Sequence, residues 1–307
     1  LDGIGIGRSD VFAMPYNRLA APLEAENGIQ PLLVPLDGLE QIWSLDIHVA
    51  DHCNLRCKAC GHFSCLADGE VFHDAETVEK SLERLADLVP NICNLHILGG
   101  EPLLHPELPE IVAVARRQYP LANMTMATNG ILLTRMSLRL RSSLKNNQVK
   151  VIVSLYPPLF ERVDELAAWL GSEGLPFRIN RIDSFERRIL PRPIFDKRRM
   201  FAKCGHKMCL RGSRVGYCVM ALFTDYYNRR FGPGRLPEDP GVDVFAHAGG
   251  KSFLAALNRP LELCRQCVAC DAGKQYFRDW APAGKNPRPE DWFIDFPLDA
   301  ALARRGD

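Results

Sequence analysis

Cys53, Cys57 and Cys60 fall within eight residues, in the stretch CNLRCKAC. Soft thiolates at that density suit iron or zinc better than a disulfide staple. A cluster of four irons ordinarily takes four thiolates, so three protein ligands would leave one iron open to a small molecule. Zinc is the alternative, closing its tetrahedron with a fourth Cys or His at short spacing, and His62 stands near enough to serve. Two polar motifs follow in order, Gly99-Gly100-Glu101-Pro102 and Thr128-Asn129-Gly130. A second thiol group comes later, with Cys204, Cys209 and Cys218 followed by Cys264, Cys267 and Cys270. These six exceed what one structural zinc needs.

Such motifs work only if regular elements bring them together. Apolar runs at 44–49, 95–98, 124–127, 149–154 and 177–180 have strand length and polar or turn-forming boundaries. Between them, Val78, Leu82, Leu85 and Val89 recur at helical spacing behind the candidate cap Asp74. Val163, Leu166 and Leu170 repeat the pattern ahead of Gly171, the expected stop. Strand and helix in alternation predict an α/β fold with parallel strands and right-handed crossovers. Ligands then gather at the carboxyl ends of the strands, where the cysteine loop, GGEP and TNG all fall.

The 307 residues can form one large domain and a small appendage. Lys and Arg (38) balance Asp and Glu (37), which gives no electrostatic case for a nucleic-acid partner. No apolar run reaches bilayer-spanning length and no basic-then-apolar leader opens the sequence, so no membrane partner is expected. Eleven clustered cysteines fit metal in a reducing compartment, and the expected location is the cytoplasm. A basic stretch holding Arg187, Arg188, Arg192, Lys197, Arg198 and Arg199 is expected to be a solvated connector rather than an anion site.

The cysteine triplet followed by a GGE-type motif resembles the radical S-adenosylmethionine (SAM) superfamily. That resemblance implies a partial (β/α)6 barrel whose first loop holds a [4Fe-4S] cluster through Cys53, Cys57 and Cys60. SAM would chelate the open iron, accept one electron and yield a 5'-deoxyadenosyl radical, with flavodoxin or ferredoxin as an external reductant. Gly99 and Gly100 would admit the SAM methionine, Glu101 would lie near its amino group, and Thr128, Asn129 and Ser154 would face the cofactor. Family members often carry an aromatic residue where this chain has Ala59; Phe63 or His62 would fill the space.

The later cysteines resemble the SPASM and Twitch extensions, small C-terminal domains that hold an auxiliary iron-sulfur cluster. The stretch CLRGSRVGYC looks like their hairpin, and the implied ligands are Cys204 or Cys209 with Cys218, Cys267 and Cys270. The expected organisation is an N-terminal extension (1–42), the barrel (43–182), the auxiliary domain (183–280) and a tail (281–307). The longer stretch IHVADHCNLRCKACGHFS is similar to enzymes acting on carbohydrates and aminocyclitols, which implies a small-molecule substrate and epimerisation or dehydrogenation. Peptide modification and a non-catalytic redox protein are the alternatives. Spare thiols at Cys209, Cys204 and Cys65 are the candidate hydrogen donors.

Overall fold

The structure is a computed structural model that describes residues 41–205, 208–268 and 276–294. Its centre is β1 (Gln41–His48), whose last five residues are all buried, so both faces of the strand are covered. Two-sided burial is what a central parallel strand requires. On one side follow β2 (Asn91–Leu98), β3 (Asn123–Thr128), β4 (Lys150–Leu155) and β5 (Phe177–Arg181), paired in parallel in that order. The five strands overlap the five expected runs, each shifted or extended by a few residues.

Between β6 (Ser184–Glu186), which leaves this sheet, and β7 (Met208–Arg211), the chain crosses back to the other side of β1. There β7 pairs in parallel with β1, Asp46 opposite Cys209 and His48 opposite Arg211. β8 (Arg214–Gly216) and β9 (Val242–Asp243) then add in antiparallel fashion. The eight-stranded order is β5-β4-β3-β2-β1-β7-β8-β9, an α/β sheet that is mostly parallel and does not close. The CLRGSRVGYC hairpin, which falls within the expected auxiliary segment 183–280, adds β7 and β8 to the sheet of β1. Its Leu210 and Val215 share one core with Ile47, Leu95 and Met126.

The helix Ala75–Leu88 starts where expected, with the Asp74 carboxylate accepting from the Thr77 N–H at 2.8 Å. It buries Val78, Leu82 and Leu85 on the sheet. The helix Val163–Ser172 runs through Gly171 and stops nearer Gly174, whose φ of +63° suits a residue without Cβ. A second sheet, β6 with β10 (Phe277–Asp279), carries the chain back across the carboxyl ends of the parallel strands. Most of the expected N-terminal extension, 1–40, and residues 295–307 lie outside the described residues. No helix among the described residues is long and apolar enough to cross a membrane.

Candidate cofactor centre

The loop after β1 carries the three cysteines and is pinned from β2. Val49 N–H donates to Leu98, Gly100 N–H to Ala50 and Glu101 N–H to His52, at 2.9, 2.6 and 3.1 Å. Two backbones this close leave no room for side chains. A Cβ on Gly99 would sit 2.5 Å from the Ala50 carbonyl, and one on Gly100 would sit 2.1 Å from that of His52. The glycines are thus required by loop against loop, a reason local to the protein that the resemblance did not supply.

Glu101 is fully buried, and its carboxylate accepts from Thr128 Oγ1 at 2.7 Å, Asn129 N–H at 2.8 Å and Leu103 N–H at 3.0 Å. Burial pushes its carboxyl up to about 7 against the pull of these donors. Glu101 therefore fixes TNG in place, and it does not line the cavity beside it. Asn129 carries the linkage onward, donating from Nδ2 to Asn54 at 2.7 Å and to the Cys53 sulfur at 3.6 Å.

That cavity, of about 330 Å³, gathers Cys53, Cys57 and Cys60 with Gly99, Gly100, Thr128, Asn129 and Ser154. Ala59, with φ of +57°, lines it too, and so does His62, stacked on His48 at 5.0 Å. Phe63 does not enter the space beside Ala59, because it is buried against Trp292 and Tyr227. Further lining residues were not foreseen. Tyr156 stacks on Phe185 of β6 at 5.8 Å, and Glu186, Arg188 and Trp292 also line the cavity. Of the basic stretch, Arg188, Arg192, Arg198 and Arg199 are exposed as expected, and Arg188, paired with Glu186, also borders the cavity.

The residues fit an iron-sulfur cluster. Burial pushes the Cys53 thiol up to about 12 and raises that of Cys57 further, with Cys60 adding like-charge repulsion. Three thiolates here need a strongly cationic partner, which coordinated iron supplies. Hydrogen-bond donors already address the sulfurs: Leu55 N–H to Cys53 at 3.3 Å, and the Trp280 indole to Cys57 at 3.1 Å. Among the described residues no three His, Cys, Asp or Glu side chains surround a point suited to a single metal ion. The triplet lines a cavity instead.

The proposed hydrogen donors stand elsewhere. Cys209 is fully buried in β7, and Cys204 and Cys65 are nearly so; none lines the cavity. Cys65 directs its thiol toward the Cys57 carbonyl at 3.8 Å. Of the implied auxiliary ligands, Cys204, Cys218 and Cys267 are buried, while Cys270 lies outside the described residues.

Under the loop, Asp51 forms a buried junction. His48 and His73 lie 3.1 and 3.0 Å from its Oδ1, and Arg211 and the Tyr226 hydroxyl donate to Oδ2 at 2.8 and 2.6 Å. Burial alone would raise this carboxyl, but its partners outweigh that and hold it far below the usual range.

A model of the Radical SAM superfamily matches residues 47–183. Over 110 residues the chain is 34% identical to the GTP 3',8-cyclase of Rhodopirellula baltica, covering 33% of this chain and 28% of that protein. Over 89 residues it is 35% identical to the GTP 3',8-cyclase of Chlorobaculum tepidum, covering 29% and 26%. The match thus spans little more than a quarter of these relatives' length. A solved structure described as BtrN in complex with AdoMet and 2-DOIA is similar at a TM-score of 0.44 and 15% identity, over 74% of this chain and 93% of that one. The cyclase names overturn the expectation of a carbohydrate or aminocyclitol epimerase or dehydrogenase. The match to the Radical SAM superfamily thus covers residues 47–183, and the cofactors that family implies are a [4Fe-4S] cluster and S-adenosylmethionine.

Proposed function

We propose that the chain is an enzyme that cleaves SAM reductively in the cavity after β1 to β4 and turns the resulting radical on a small anionic substrate. The observation that carries this reading is one cavity lined by two unlike sets of residues, the cysteines, glycines and TNG on the one hand and Tyr156, Phe185 and Arg188 on the other. Cys53, Cys57 and Cys60 would hold the cluster, which when bound would supply the one-electron chemistry for reductive cleavage of SAM. The chain's own part is to position and to exclude water. Glu101 fixes Thr128 and Asn129 at the cavity edge, and β6 adds Phe185 and Glu186 to its lining. Arg188 offers a guanidinium to an anionic group, and Tyr156 and Phe185 offer ring faces to a base.

The names of the aligned relatives make GTP the first substrate to try. Anaerobically reconstituted, reduced protein should form 5'-deoxyadenosine from SAM, and GTP should be consumed in step with it. No 5'-deoxyadenosine from a protein with intact cluster would leave an electron carrier instead. SAM cleavage without loss of GTP would keep the enzyme and discard the nucleotide.

The second cysteine group is proposed to hold an auxiliary cluster, with Cys204 favoured over Cys209. Cys209 is enclosed between β1 and β8, whereas Cys204 follows the short helix Lys197–Ala202, beside the turn Glu262–Arg265 that leads to Cys267. Iron and sulfide analysis should return two clusters in the intact protein, and one in Cys218→Ala.

A further inference from the structure

Trp280 belongs to no motif, yet its indole nitrogen lies 3.1 Å from the Cys57 sulfur, 223 residues away in the chain. Resting on the reading that Cys53, Cys57 and Cys60 hold the cluster, we propose that Trp280 is a positioning residue that raises the cluster's reduction potential by donating its indole N–H to the Cys57 thiolate.

The donor is held from both sides. Trp280 N–H donates to the Asp183 carbonyl at 2.7 Å, Lys58 N–H to Ala281 at 3.0 Å and Ala283 N–H to Arg56 at 2.8 Å, with Cys57 bridged to Pro282. Tyr156 lies beside the indole, the two rings 6.1 Å apart and tilted by 38°. These bonds tie the backbone that carries the indole directly to the cysteine loop. Cys57 is only 7% exposed, so water does not compete for the bond and the low local dielectric strengthens it.

Adding an electron to a cluster increases the negative charge on its thiolates. A fixed N–H dipole favours the more negative state, and hydrogen bonds to the sulfurs are a recognised control on cluster potential. Among the described residues, the other donors to sulfurs of the triplet are Leu55, from the loop itself, and Asn129, both to Cys53. Trp292, the other tryptophan at the loop, donates to the Cys60 carbonyl at 3.1 Å and not to sulfur. It is the natural control, since it anchors the same loop without addressing a ligand atom.

The test uses the full chain, grown with ¹⁵N-indole tryptophan and reconstituted anaerobically, reading only the reduced-cluster EPR signal that changes on adding SAM. Pulsed EPR should show ¹⁵N coupling in the wild type and in Trp292→Phe, and none in Trp280→Phe. A redox titration should place Trp280→Phe lower by roughly tenfold in the reduction equilibrium, about 59 mV for one electron, with Trp292→Phe unmoved. An unchanged midpoint in a Trp280→Phe protein of normal iron content overturns the proposal. If that variant fails to fold, the wild type decides: absence of ¹⁵N coupling to its SAM-responsive cluster is equally fatal. A wild type without any SAM-responsive cluster overturns the radical-site reading, and this inference with it.

Discussion

Glu101 behaves as a buried acid whose three donors serve the fold. Its carboxyl ionises near 4.5 in the unfolded chain and near 7 in the folded one. Between those values the folded state holds the extra proton, so stability is fully present at the acid end and falls as pH rises through the window. The apo chain should lose roughly 3 kcal/mol across it on this account, seen as a declining urea midpoint. Glu101→Gln removes the titration, so the difference between the two proteins should vary with pH; a constant difference contradicts the assignment. Cys57 makes the opposite kind of prediction. Cys57→Ala should cost only about 1 kcal/mol in the apo chain, yet iron analysis after reconstitution should show the radical cluster gone.

At the scale of elements, parallel register does the assembling. His48 pairs with Leu98 and Ile97 with Met126, so the cysteine, GGEP and TNG loops leave the sheet side by side. Their approach is tight enough to be tested with one methyl group. Gly100→Ala would drive a Cβ to 2.1 Å from backbone, forcing the loops apart at a cost of about 1–3 kcal/mol. Both thermal stability and iron uptake should fall. Gly171→Ala is the counterpart: nothing lies within 4 Å of its Cβ position inside the helix Val163–Ser172. It should stabilise the chain by about 0.5–1 kcal/mol, and a lowered melting temperature would show that packing there is misjudged.

Across the whole molecule, the junction at Asp51 joins the two halves of the chain. Arg211 reaches it from 160 residues away, binds Asp225 at 2.9 Å as well, and lies over the rings of Phe223 and Tyr226. Removing the carboxylate leaves Arg211 with Asp225 alone and takes the shared acceptor from two histidines, so Asp51→Ala should cost about 3–5 kcal/mol by denaturant titration. Because β1 to β5 and β7 to β9 share one core, the wild-type chain should unfold in a single transition. Separate transitions reported by probes in the two halves would refute that.

The sequence by itself determined the strands β1 to β5, the helix start at Asp74, the parallel α/β class and the cysteine loop. Each is recorded in residues close together in the chain, as periodicity, caps or motif spacing. The end of the helix at 163–172 was misplaced, since Gly171 and Gly174 offer the same local signal and only packing separates them. Tertiary structure alone decided that β7 joins β1, that Glu101 supports TNG rather than lining the cavity, and that Cys65, Cys204 and Cys209 stand outside it. It also brought Phe185, Arg188, Trp280 and Trp292 to the cysteine loop. Contacts spanning 160 to 223 residues follow from which surfaces remain to be covered once the sheet has formed. No periodic or local pattern announces them, because their complementary halves are brought together only by the fold.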